Sequence, residues 1–86
     1  MSYYNFGPKT IGVTASQVVA TGTFKRSVLI QNLSANDIYI GDSTVTTATG
    51  IKIVAGGDAT FNTQGDLWAV ATGANSDVRY WEEHNG

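Results

Sequence analysis

Residues 27–41 read SVLIQNLSANDIYIG, two apolar runs rich in β-branched residues on either side of a polar turn. The first contains the uninterrupted apolar residues 28–30, which is typical of a central strand that is covered on both faces. In the second, Ile38 and Ile40 alternate with Tyr39, as expected for a strand with one buried face. Because only a short polar segment separates the runs, we predict a β-hairpin here.

The same pattern continues in both directions, with β-branched runs separated by turn residues about every eight to twelve positions. Short strands are predicted around residues 11–13, 18–20, 67–71 and 78–81, and a second hairpin over residues 51–61. No window has apolar residues at helical spacing over three turns. The sequence therefore predicts an all-β fold, a single small antiparallel β-sandwich or barrel of about seven to eight short strands in sequential hairpins, with an extended N-terminal arm.

The length of the chain, 86 residues, allows one domain. We divide it into an N-terminal aromatic arm (1–8), a β-sandwich domain (9–83) and a frayed C-terminal tail (84–86). A chain this short buries only about 60% of its unfolded surface, so its stability as a monomer is expected to be small. It has no cysteine to form a disulfide or a thiolate metal site. Oligomerisation is the remaining source of stability.

The charge pattern excludes several classes of partner. The five basic residues are scattered and the net charge is −2, so no basic stripe for nucleic acid is present. Apolar runs such as residues 68–71 are far shorter than the roughly 20 residues that cross a bilayer. The first residues lack the charged and apolar regions of a secretory signal. We expect no nucleic acid partner, no membrane association, and synthesis in a cytoplasm.

The residues that commonly perform catalysis are sparse. The one histidine, His84, lies two residues from the C-terminus, and most aspartates stand beside Gly, Asn or Ser, where they form turns. Glu82, Glu83 and His84 are adjacent in a strand and would point to opposite faces, so they make a poor metal site. Gly56-Gly57 lacks the lysine of a phosphate-binding loop. The sequence predicts no catalytic, cofactor-binding or metal-binding residue, and therefore a protein that is not an enzyme.

Aromatic residues stand out instead. Three lie in the N-terminal arm, which folds over an open end of its own domain, lies on a neighbouring subunit or is disordered. Trp68 and Trp81 each lie opposite the apolar face of their strand, where a partner would find an anchor. The candidate protein-interface residues are Tyr3, Tyr4, Phe6, Tyr39, Trp68 and Trp81.

Residues 27–41, the segment TATGIKI (47–53), Gly56-Gly57, LWAVA (67–71) and DVR (77–79) resemble a class of short proteins encoded among the virion genes of tailed bacteriophages. The resemblance covers roughly residues 25–83. It implies a non-enzymatic virion structural protein, foremost a capsid cement or decoration protein that binds across neighbouring shell subunits as a homo-oligomer, with a trimer favoured. The partners would be the major capsid protein or other virion proteins, and no cofactor is implied.

Two alternatives remain open at this point. A neck, tail or spike component of the same virion would differ from a cement protein in copy number rather than in chemistry. A small carbohydrate-binding module would use Trp68, Trp81 and Tyr39 as a platform for sugar rings. Low net charge favours the cement protein, because many copies side by side on a shell would otherwise repel one another.

Overall fold

The structure is a computed structural model that describes residues 2–22 and 26–85, with side chains described for residues 4–22 and 26–83. The described residues form eight strands and no helix, which confirms the predicted all-β class. The strands are β1 (Ser2–Ile11), β2 (Ser16–Val19), β3 (Arg26–Asn32), β4 (Ile38–Gly41), β5 (Ile51–Ile53), β6 (Asp58–Thr63), β7 (Leu67–Ala71) and β8 (Ser76–Asn85).

The strands pair into two four-stranded antiparallel sheets, one in the order β1-β8-β3-β6 and the other in the order β2-β7-β4-β5. We call them the first and the second sheet. The chain passes from one sheet to the other at most connections, and this order is that of a jelly roll, built from two Greek keys. The architecture is a sandwich, because no strand of one sheet pairs with a strand of the other among the described residues.

Both predicted hairpins are wrong. The chain leaves β3 in the first sheet and enters β4 in the second, and it changes sheet again between β5 and β6. Asn32 explains the first corner, because its buried side-chain amide donates to the carbonyl oxygens of Asn36 (2.8 Å), Ile53 and Val54 (both 3.1 Å). Its Oδ1 accepts from the Ser34 hydroxyl at 2.7 Å. The polar segment is therefore a corner between sheets rather than a hairpin turn.

The core lies between the sheets and is aliphatic. Val28 and Ile30 are fully buried in it, whereas Leu29 between them is 39% exposed. β3 is thus central in its sheet, between β8 and β6, but it is covered on one face and not on both as predicted. A two-layer sandwich buries only one face of each sheet. The core cluster comprises Ile11, Val18, Val19, Val28, Ile30, Ile38, Ile40, Ile53, Leu67, Ala69, Ala71 and Val78.

A buried ion pair joins the sandwich at the end where β3 begins. Arg26 is 2% exposed, and its Nε donates to Glu82 at 2.8 Å. The other guanidinium nitrogens donate to the carbonyl oxygens of Thr63 (2.6 Å), Gly65 (2.8 Å) and Ala20 (2.6 Å). One side chain therefore links β3, β8, the connection between β6 and β7, and the residue that follows β2.

The N-terminal segment is a strand of the domain. β1 runs unbroken across the boundary that we placed after residue 8, and it pairs with β8 from Ser2 opposite Asn85 to Ile11 opposite Ser76. Pro8, which lacks an N–H group, is tolerated because β1 is an edge strand. The backbone of residues 84 and 85 likewise belongs to β8 rather than to a separate tail. Gly86, the last residue of that tail, and Met1 of the arm lie outside the described residues.

Candidate protein-interaction face

The outer side of the first sheet carries a row of large apolar side chains. In the strand registers, Phe6 of β1 lies opposite Trp81 of β8, and Trp81 lies opposite Leu29 of β3. Side chains alternate between the two faces of a strand, so all three point away from the core. Phe6 is 64% exposed, Leu29 39% and Trp81 38%. We call the outer side of the first sheet the aromatic face.

Tyr4, Phe6 and Trp81 form a cluster of rings on this face. The centroid of Trp81 lies 4.4 Å from that of Tyr4 and 5.5 Å from that of Phe6, with interplanar angles of 14° and 22°. The centroids of Tyr4 and Phe6 are 6.0 Å apart. The three distances are similar, so the rings form a compact triangle, with Tyr4 and Phe6 on the same side of Trp81. Stacking at these distances stabilises the cluster.

A shallow groove of about 490 Å³ runs beside the cluster. Phe6, Pro8, Leu29 and Trp81 supply apolar walls, and Arg79 is among the polar residues at its margin. The charged and polar groups around the groove are held by neighbours on the same sheet. The Arg79 guanidinium lies 3.2 Å from the Asp77 carboxylate. The Trp81 indole Nε1 donates to Glu83 at 3.3 Å.

The structure brings together only some of the predicted interface residues. Tyr4, Phe6 and Trp81 share the aromatic face, whereas Tyr39 and Trp68 lie on the outer side of the second sheet. Both of the latter are half-buried, and the Trp68 indole donates to Asp66 at 2.7 Å. The backbone of Tyr3 belongs to β1, and its side chain lies outside the described side chains.

The sugar platform of Trp68, Trp81 and Tyr39, which the sequence left open as an alternative, is therefore not assembled. Trp81 points outward from the first sheet and the other two from the second, so the core lies between them. Sequence alternation shows which side chains share a strand face but does not show which sheet a strand joins.

Sequence reasoning missed Leu29 and Pro8 as parts of the face. Leu29 was assigned to a strand covered on both sides, although strict alternation with the buried Val28 and Ile30 could have placed it outward. Pro8 was treated as the end of an arm. The partners that complete the face come from opposite ends of the chain, and no local signal predicts that pairing.

Asp42 forms a turn, as predicted for most of the aspartates. Its Oδ1 accepts hydrogen bonds from the hydroxyl (2.6 Å) and the backbone N–H (2.9 Å) of Thr44. These hydrogen bonds, that from the Thr44 hydroxyl foremost, lower the pKa of Asp42 below its ordinary value. Within the described residues no three His, Cys, Asp or Glu side chains group in a way that could hold a metal ion. No helix capable of crossing a membrane occurs there either.

The fold and this face define a small jelly-roll β-sandwich with an uncovered aromatic surface. Neither a protein-family model nor a curated protein matches the chain. Among solved structures, the chain is similar to one described as "Bacillus endospore appendages form a novel family of disulfide-linked pili". The two align with a TM-score of 0.63 and 16% identity over 96% of this chain and 83% of that chain. This similarity shows a shared fold, and since this chain has no cysteine it cannot form the disulfides named there.

Proposed function

We propose that this protein is a non-enzymatic structural subunit that acts by assembling with other proteins. One observation carries the proposal. None of the seven aromatic side chains that the structure describes is buried, and three of them form one exposed cluster. Soluble monomers rarely leave contiguous apolar patches uncovered, and aromatic side chains are enriched at the centres of protein interfaces. Phe61 and Tyr80 pack against the core, whereas the rings of the exposed cluster are available for contacts with other proteins.

The specific role that we propose is that of a decoration or cement protein of a bacteriophage virion. The resemblance of residues 25–83 to short virion proteins supports it, and jelly rolls are common in viral capsid proteins. The similarity to a pilus structure supports an assembling subunit in general. A cement protein must span neighbouring shell subunits, which requires more than one contact surface.

A second apolar surface lies at one end of the sandwich. Val13, Leu33 and Val54 are 65%, 47% and 55% exposed. They lie in the connections that follow β1, β3 and β5. These connections meet at this end, since Ile11 at the end of β1 lies opposite Ser76 at the start of β8. The Leu33 N–H donates to the carbonyl oxygen of Asp77, and the Asn32 N–H donates to that of Gly57. We propose that this loop end contacts the shell, while the aromatic face joins copies of the protein.

A fibre subunit is the second candidate, favoured by the similarity to the pilus structure. A fibre subunit would associate with itself in an open series, whereas a cement protein forms closed oligomers that bind a shell. Electron microscopy of the purified protein separates the two. Filaments would favour the fibre subunit, and discrete particles would favour the cement protein.

Quantitative mass spectrometry of purified virions tests the proposal directly. We expect copies of this chain at a simple ratio to the major shell protein. A handful of copies per particle would instead assign the protein to the neck, tail or a spike, and complete absence would contradict the virion role.

Binding of the purified protein to empty shells tests the contact surface. The variant Val13→Ser/Leu33→Ser/Val54→Ser is expected to lose shell binding, because its loop end is no longer apolar. Ile51→Ser is the matched control, since Ile51 is 60% exposed but begins β5 away from that end. Equal loss in both would contradict the assignment of the loop end. Deletion of residues 1–8 is not a clean test, because it removes most of β1.

A further inference from the structure

We propose that the aromatic face binds the same face of a second copy of this chain, about a twofold axis. The inference rests on the proposed function as an assembling subunit and deepens it by naming the partner. The axis would lie in the interface, crossing the strands along the row of Phe6, Trp81 and Leu29. The proposal is based on the pattern of side chains on the face, because each half of this pattern is complementary to the other half.

The strand registers arrange the outward side chains of the first sheet in three rows across β1, β8, β3 and β6. The central row is apolar at three of its four positions, and each flanking row begins on β1 with a ring and contains one charged residue on β8. The rows are Tyr4, Glu83, Ser27 and Asn62; Phe6, Trp81, Leu29 and Thr60; and Pro8, Arg79, Gln31 and Asp58.

Rotation by 180° about the central row places each flanking row over the other flanking row of the second copy. On β8, Glu83 then faces Arg79 of the second copy, so an acid meets a base. On β1, Tyr4 faces Pro8 of the second copy, so an aromatic ring meets a proline ring.

The remaining positions also match. Ser27 faces Gln31 of the second copy, so a hydroxyl meets an amide. Asn62 faces Asp58 of the second copy, so an amide meets a carboxylate. No pair sets equal charges against each other. Because the contact is isologous, every pair occurs twice.

The distribution of side chains on the face suits such a contact. The centre of a protein interface is enriched in aromatic groups, and its rim is polar. The central row carries Phe6, Trp81 and Leu29, and the flanking rows are mainly polar. Burial of the central row would supply the apolar contact that a short chain without cysteine lacks within its own core.

Pairing along the free edge of β1 is a poorer route to the same dimer. Pro8 lies in that strand and has no N–H group to offer to an added strand. Proline on an edge strand is one of the ways in which proteins prevent edge-to-edge association. Pro8 therefore favours contact through the face over pairing along the β1 edge.

Charge reversal tests the arrangement. Arg79→Glu would set a second carboxylate against Glu83 of the second copy, and Glu83→Arg would set two guanidinium groups together. We expect each single variant to weaken the dimer at least about tenfold in sedimentation equilibrium, because like charges at an interface are strongly unfavourable. The double variant Arg79→Glu/Glu83→Arg restores opposite charges and is expected to restore the dimer. Lys52→Glu, on the second sheet, is the control, and circular dichroism checks that each variant is folded.

Several results would overturn the proposal. The wild type would remain a monomer at all concentrations up to about 100 μM, or the double variant would fail to restore the dimer. Formation of a trimer, the oligomer that the sequence favours, would also contradict a twofold contact. If the protein were a monomer that binds shells through Trp81, the aromatic face would be the contact with the shell protein, and the proposed dimer would likewise be overturned. The proposed virion role and the proposed twofold contact can fail independently. If the protein forms the dimer but is absent from virions, only the virion role is contradicted. If it is a monomer but is present in virions, only the twofold contact is contradicted.

Discussion

The two outer faces of the sandwich differ in how their apolar residues are covered. On the second sheet, Val70 alternates with the core residues and so points outward, yet it is only 5% exposed. Val45, from the connection between β4 and β5, is 7% exposed and lies against that sheet. On the first sheet, Tyr4 and Phe6 are 55% and 64% exposed. On the second sheet these two valines are buried, whereas the first sheet leaves its outward aromatic side chains exposed.

Two glycines allow Val45, in the connection between β4 and β5, to pack against the second sheet. A Cβ added to Gly41 would lie 2.8 Å from Val45 Cγ2, and one added to Gly50 would lie 2.7 Å from the same atom. Only residues without a side chain at both positions let Val45 approach the sheet. The first sheet has no comparable loop among the described residues, and its apolar side chains stack on one another instead.

The largest effect on stability is expected at Arg26, whose side chain connects the first sheet to the residue that follows β2 of the second sheet. Arg26→Met removes the guanidinium that pairs with buried Glu82 and leaves that carboxylate without its ion pair. We expect the free energy of unfolding in urea to fall by about 3–5 kcal/mol. Lys52→Met, which breaks the exposed ion pair with Asp37 away from the aromatic face, is the matched control and should change the free energy by about 0–1 kcal/mol. Similar losses in the two variants would contradict the structural role of Arg26.

Gly50→Ala would break the cover on the second sheet alone. Its new Cβ would lie 2.7 Å from the Cβ of Tyr39 and 3.1 Å from the backbone nitrogen of Ile40, which has no room to move. We expect a loss of about 1–3 kcal/mol in the free energy of unfolding, with dimer formation retained. Gly12→Ala is the control, since nothing lies within 4 Å of its added Cβ. A stabilised Gly50→Ala variant would show that the loop does not pack as described.

Phe6→Ser would alter the first sheet with little cost to the fold. Phe6 is 64% exposed, so the monomer should lose only about 0.5–1.5 kcal/mol, the value of an aromatic pair. Because binding between copies stabilises the folded state, wild-type thermal stability should rise with protein concentration, and that of the variant should not. Calorimetry over a range of concentrations measures both. A variant that keeps the concentration dependence would argue against the face as the contact.

The smallest effect concerns the turn that leads into the loop of the second sheet. The Thr44 hydroxyl and N–H hold the pKa of Asp42 below its ordinary value, so the charged form is favoured by folding. The contribution of Asp42 to folding stability is fully present when the pH is above the ordinary aspartate pKa. It is lost as the pH falls through the lowered pKa of Asp42. Thr44→Val keeps the N–H and should raise the pKa of Asp42 part of the way, as measured by NMR titration. An unchanged pKa would show that the hydroxyl does not hold the carboxylate.

The strands could be predicted from the sequence, whereas their partners could not. Alternation located β3, β4 and β7 because it depends only on residues near one another in the chain. The hairpins failed because Asn32 uses its side chain to turn the chain into the other sheet, and asparagine in a polar segment is equally typical of a hairpin turn. The aromatic residues could be singled out one by one from the sequence. Their grouping depends on the pairing of β1 with β8, which joins opposite ends of the chain.

The two tryptophans report on the two faces, so fluorescence tests the central claim most directly. In the variant Trp68→Phe, which leaves the aromatic face intact, the emission comes only from Trp81. As the protein concentration rises through the range of dimer formation, Trp81 emission should shift to shorter wavelengths because the indole becomes buried. A constant Trp81 spectrum in a sample of this variant that is shown to dimerise would contradict the account.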